Sequence, residues 1–251
     1  MAAAPLPTAM AEGAPLSQGA RIVNTFFAPS KTFTDLRRNA SWWAPFLLSV
    51  IVSILFVAVV DQKVGFRKVT ENQIQMSPKA TARLDQMPAA ERNKAIASQA
   101  TVTRYISYGF WVLILLWNVM VAAILLGTFK LGAGADLTFK TSLAVVMYAS
   151  LPLLLKSLLA IVSLLAGLNA DSFTFQNPVA TNPGYFLNPA DSPFLYSLAT
   201  SLDIFMIWTL ILTAIGMSCV GKIKRSTALA VVFGWYVVFM LVSAGFGALF
   251  S

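Results

Sequence analysis

Met147–Leu168 reads MYASLPLLLKSLLAIVSLLAGL, an apolar run with one proline, Pro152, and one charge, Lys156, set among leucines. A soluble helix of this length carries a polar face, and this run has none. With Ser142–Val146 ahead of it the run reaches ~25 residues, enough to cross a hydrocarbon core of roughly 30 Å. Four more apolar runs flank it, two on each side. The pattern predicts an all-α integral membrane protein. Its core is a bundle of five transmembrane helices, preceded by an amphipathic N-terminal segment.

Composition points the same way. The chain is 57% hydrophobic and 11% charged, where globular domains carry about 25% charged residues. Mean hydropathy is +0.72 and the pI is near 9.8. The net charge of +8 comes from basic residues spread through loops. Such loops suit anionic lipid headgroups, and nucleic acid is not expected as a partner. A single cysteine, Cys219, rules out an intrachain disulfide, and histidine is absent. Without histidine the chain lacks the commonest general base and metal ligand. No catalytic residue, cofactor or metal is expected, and the chain is read as a non-enzyme.

Taken in order, residues 1–20 are rich in Ala, Pro and Gly and read as a disordered tail. Residues 21–42 mix Ile22, Phe26, Phe27 and Phe33 with Arg21, Lys31, Arg37 and Arg38, a pattern suited to the headgroup plane or to a loop packed on the bundle. Trp42 and Trp43 read as interface anchors. The membrane domain occupies residues 43–251, with spans expected near 43–60, 106–129, 142–167, 194–221 and 227–250. A polar loop at 61–104 holds two helix starts, at Pro78 and Pro88, and the second can run on into the next span. The glycines of Leu131-Gly132-Ala133-Gly134 read as a helix stop, since neither a preceding strand nor the full glycine fingerprint is present.

Lys/Arg counts give nine on the N-terminal side of the membrane against eight on the other, which decides nothing by itself. Short loops next to spans carry more of the signal than long polar segments. The Asn/Pro loop has no basic residue, whereas Lys222, Lys224 and Arg225 crowd the next turn. This predicts a cytoplasmic N-terminus and a C-terminus outside.

Lys156 is the sharpest candidate for chemistry, because an ammonium in the bilayer normally faces protein or water. Ser142, Ala149, Lys156 and Ser163 recur every seven residues and give the third span a narrow small or polar face. The lysine could serve an ion, proton or headgroup site. It could equally snorkel or pair structurally, and the structural reading is preferred. Asp203 is its obvious partner. A fourth span starting at Phe194 would put the two side chains level within the membrane, while one starting at Ile204 would put Asp203 at the interface. Asn118 completes the expected intramembrane polar cluster with Lys156 and Asp203. Ser142, Ala149, Pro152, Ser163, Thr209, Thr213, Gly216, Ser243 and Gly247 read as helix-packing positions.

Several stretches together resemble a known family. Phe27-Ala28-Pro29-Ser30-Lys31-Thr32-Phe33, followed by Trp42-Trp43-Ala44-Pro45, is similar to the family's approach to its first span. Thr138-Phe139-Lys140 with Tyr148-Ala149-Ser150-Leu151-Pro152 resembles its central signature. Ser201-Leu202-Asp203-Ile204-Phe205-Met206-Ile207-Trp208, with Ala214-Ile215-Gly216, looks like its fourth span. In this order they resemble the Yip domain family of Ypt/Rab-interacting-protein-like membrane proteins, in its bacterial branch. The resemblance implies a five-span helical bundle with a cytoplasmic N-terminus, in the bacterial cytoplasmic membrane. Eukaryotic relatives act in vesicle traffic and contact small GTPases. Residues 1–42 lack the acidic Asp-Leu-Tyr-Gly-Pro type stretch of those members, so that role does not carry over. The expected function is a membrane scaffold or trafficking-like organiser, bound to a membrane-protein partner or to itself. The alternative is a small transporter, or an accessory subunit of a transport system, using Lys156 and Asp203.

Overall fold

In a computed structural model, residues 14–167 and 170–250 are described, with backbone alone for 246–250. Residues 1–13, Leu168, Asn169 and Ser251 lie outside it, as does the side-chain environment of Gly247. Among the described residues the chain is helical and has no strand.

The first helices are α1 (Gln18–Phe27) and α2 (Pro29–Asp35). Ser17 caps α1 by accepting from the Ala20 N–H, so the helix starts inside the stretch expected as tail. Then come α3 (Trp43–Lys63), α4 (Phe66–Gln75), α5 (Pro78–Asp85) and α6 (Ala89–Tyr108). They are followed by α7 (Phe110–Ala133), α8 (Phe139–Ala149) and α9 (Leu151–Leu165). Two 3-10 turns, Ala170–Ser172 and Pro183–Phe186, precede α10 (Pro193–Ser201), α11 (Ile204–Gly221) and α12 (Arg225–Phe250).

Among the described residues, five segments are long and apolar enough to cross a membrane: Trp43–Lys63, Phe110–Ala133, Phe139–Leu165, Ile204–Gly221 and Arg225–Gly245. The bundle is centred on α8, where every residue from Ser142 to Ala149 is buried. Phe33 and Leu36 from the N-terminal segment, Phe129 from α7, and Leu212 and Met217 from α11 close around it. The spans bury very different shares of themselves. Half of the most apolar window of Phe139–Leu165 is buried, but only 22% of that in α7 and 17% of that in α12.

Three of the expected spans are divided. The helix from Pro88 does not run into the membrane unbroken, because Gly109 (φ −89°, ψ 0°) ends α6 and starts α7. The central run folds as α8 and α9, meeting at Ser150, with Pro152 in the first turn of α9, where its missing N–H costs nothing. The fourth run, expected as one span over 194–221, splits at Leu202-Asp203. There Asp203 is extended (φ −79°, ψ 132°), and the apolar helix starts only at Ile204. Asp203 is better placed as a cap than inside a helix, since a carboxylate there satisfies orphan N–H groups and complements the helix dipole.

The N-terminal segment packs on the bundle against α8 and α11. Phe26 meets Trp208 edge-on, ring centroids 5.6 Å apart, and Phe33 lies against Gly216. Val23 and Phe27 point outward, 56% and 85% exposed. The amphipathic pattern is therefore divided between the bundle and its surroundings. Trp42 caps α3 and packs edge-on against Phe46, while Trp43 is exposed.

Candidate functional site

The break between α10 and α11 gathers the densest polar chemistry next to the spans. Asp203 Oδ1 accepts from the N–H groups of Phe205 at 3.0 Å and Met206 at 3.3 Å, closing the first turn of α11. Its Oδ2 accepts from Lys156 Nζ at 2.7 Å, Thr181 Oγ1 at 2.5 Å and Asn182 Nδ2 at 3.4 Å. The Ile204 N–H donates to the Thr181 carbonyl at 3.1 Å. The Tyr236 hydroxyl of α12 donates to the Ser201 carbonyl at 2.6 Å. Both faces of the break are thus supplied with partners, one by the Asn/Pro loop and one by α12. The loop is held in turn by reciprocal amide bonds between Asn177 and Asn182, at 2.8 and 3.2 Å.

The carboxylate is nearly sealed, its side chain 5% exposed, while Lys156 keeps 20%. That exposure opens into a cavity of about 520 Å³ among α9, α10, α11, α12 and the end of α4. Tyr196, Thr200, Ser201 and Tyr236 give it a polar wall. Asp203 does not sit at mid-span. The 18 residues of α11 cover about 27 Å, close to a hydrocarbon core, so Asp203 marks one end of the fourth span. Lys156 reaches it from α9, nine residues before Leu165 and so about 14 Å along that helix.

Asn118 is not part of this group. It is buried in α7 and donates to Met147 Sδ at 3.5 Å, nine residues before Lys156 in the chain. Of the expected packing positions, Ser142 is buried and donates to the Ala122 carbonyl at 3.0 Å. Ala149 and Pro152 are also buried, whereas Ser163 is half-buried. Thr213 donates to the Thr209 carbonyl at 2.8 Å. Thr209 Oγ1 is buried without a partner among the described residues, beside a groove of about 370 Å³ between α7, α11 and α12. Ser243 is exposed and lines the larger cavity.

A second charged pair was not anticipated. Arg21 of α1 and Asp35 of α2 meet at 2.7 Å and are 2% and 7% exposed. Thr25 and Thr32 both donate to the Arg21 carbonyl, and the Tyr148 hydroxyl donates to Gln18 Oε1 at 2.6 Å. Arg21 Nη1 has no hydrogen-bond partner among the described residues. In the sequence both residues look like the polar face of an amphipathic segment. Only the reversal at Ala28-Pro29 turns them toward each other.

The polar loop is also tied down. Arg104 bonds Asp61 at 2.8 Å, and the Tyr108 hydroxyl donates to the same carboxylate at 3.2 Å. Burial first, then the Asp61 charge, raises the Tyr108 hydroxyl above its ordinary pKa. Lys68 pairs with Asp171, and that hydrogen bond holds its ammonium above the usual lysine pKa. Asn72 donates to the Ala170 and Phe173 carbonyls, both at 2.8 Å, and so binds α4 to the loop after α9.

Five apolar spans, a helix broken beside a charge pair and an N-terminal hairpin folded onto the bundle define an integral membrane protein of helical-bundle class. The Yip1 domain family model matches residues 23–246, nearly the whole chain, and the protein belongs to that family. No curated protein matches it, and no solved structure does.

Proposed function

We propose that this Yip1-domain protein is a non-enzymatic organiser of the bacterial cytoplasmic membrane, binding other spans and carrying its N-terminus in the cytoplasm. The observation that carries this reading is how Asp203 spends its oxygens. All five donors to them belong to the protein, and two are the backbone groups that open α11. A carboxylate committed to holding two helices and a loop together is poorly free to load and release an ion or proton. Its place at the end of a span, rather than midway, supports the same reading. The Yip1 family is not a known enzyme family. The broad apolar faces of α7 and α12 supply surface for a partner's spans, and the Lys222-Lys224-Arg225 turn suits anionic headgroups.

One observation favours the second reading, a small transporter or accessory subunit. A discontinuous helix beside a polar cavity is a common form of transport site. Reconstitution separates the two. The organiser reading expects proteoliposomes with no ion or proton flux above empty vesicles. It also expects in-membrane crosslinking from Trp117 or Val238 to give one discrete adduct, with the same chain or with one other membrane protein. A flux abolished by Lys156→Met would overturn it.

A further inference from the structure

The cavity beside the break has capacity that the charge pair leaves unused. An ammonium has three N–H donors, and Lys156 gives one to Asp203 and none to any other described residue. Asp203 has no comparable room, since five donors already reach its two oxygens. The unspent side of Lys156 faces the cavity of about 520 Å³. Gln73, Gln176 and Ser243 line the same space, and their side chains make no hydrogen bond among the described residues. One charged donor and three neutral ones thus surround a void with no acceptor assigned to them.

The charge balance narrows the ligand. Asp203 cancels most of the Lys156 charge, so a dianion would meet about twice the carboxylate repulsion that a singly charged phosphodiester meets, and the phosphodiester still brings several acceptor oxygens. Apolar walls narrow it again. Leu153, Met206 and Phe239 line the cavity beside the polar groups. Phe239 and Val242 of α12 are about half exposed, which carries the apolar surface out to the flank of the bundle. The end of the fourth span is also the depth at which headgroups meet hydrocarbon.

We propose that this cavity binds a phosphodiester through Lys156, and that the phosphodiester is the headgroup of a phospholipid whose acyl chains leave along α12. The site does not depend on which partner the protein organises.

The test uses the full-length chain, delipidated in detergent and titrated with palmitoyl-oleoyl phosphatidylglycerol, with bound lipid read by native mass spectrometry. Lys156→Gln and Ser243→Phe should each weaken the tightest binding event about tenfold, the effect of one lost charged hydrogen bond or a blocked space. Ser243→Phe fills the cavity without touching the pair, so it decides the matter should Lys156→Gln fail to fold. Diacylglycerol, which has the chains and no phosphate, should not occupy the site. Equal lipid binding by wild type and Ser243→Phe overturns the site, as does diacylglycerol binding as tightly as the phospholipid. Displacement of the lipid by millimolar inorganic phosphate would assign the cavity to soluble phosphate and overturn the lipid as its source.

Discussion

Gly216 of α11 lies so close to Val145 of α8 that a methyl group built on it would come within 2.4 Å of Val145 Cγ1, and within 3.0 Å of Phe33. Three elements meet where one hydrogen atom stands. Gly216→Ala should therefore lower stability by about 1–3 kcal/mol, the cost of overpacking a filled interior. Thermal unfolding in detergent measures it. Gly127→Ala on α7, where a methyl would meet nothing within 4 Å, should stay within about 0.5 kcal/mol of wild type. Equal behaviour of the two variants would remove the close approach from the account.

Lys156 and Asp203 should behave as one unit. Lys156→Met strands a carboxylate, Asp203→Asn strands an ammonium, and the double variant strands neither. Unfolding of the four proteins should give a coupling of about 0.5–3 kcal/mol, with the double variant more stable than the single losses add up to. Asp203→Leu should cost about 1 kcal/mol more than Asp203→Asn, because asparagine can still cap α11 and leucine cannot. Strict additivity would show that the pair holds nothing together.

The Arg21–Asp35 pair is more deeply buried, so its loss should be felt locally. Asp35→Ala leaves the Arg21 guanidinium enclosed without its counter-charge, a change worth about 3–5 kcal/mol in buried pairs. Amide hydrogen exchange should rise across residues 18–35 while α11 stays protected. Unchanged exchange in that segment would mean that apolar packing alone seats it.

Five spans put the two ends of the membrane domain on opposite faces. Reporter fusions after Arg38 and after Ser251 should give cytoplasmic and exterior signals respectively. Matching signals would require an even number of crossings and a different fold.

The spans were legible because hydropathy over about twenty residues is a property of one continuous stretch. Their interruptions were less so. Gly109 sits between a charged helix and an apolar one, and nothing beside it in the chain shows that the two helices part there. Asp203 was visible as an ion in an apolar neighbourhood, and both of its possible depths could be stated. What decides between them is Thr181, which meets the break from 22 residues upstream with its carbonyl and its hydroxyl. Arg21 and Asp35 were hidden for the same reason, being 14 residues apart across a turn. Periodicity reads faces of single helices, and these contacts join faces of different ones.

The seating of the N-terminal hairpin also sets an order of events during synthesis. Gln18 takes its hydrogen bond from Tyr148, 130 residues later, and Ser30 takes one from Arg225, 195 residues later. Synthesis delivers the N-terminus first. α1 and α2 must therefore wait for residues far downstream before their docking faces exist. Until α8 and α11 arrive, Phe26 and Phe33 need another apolar surface, and the bilayer boundary supplies one to a segment that also carries Arg21, Lys31, Arg37 and Arg38. The amphipathic pattern thus suits two settings, a headgroup region before α8 and α11 exist and the flank of the bundle afterwards.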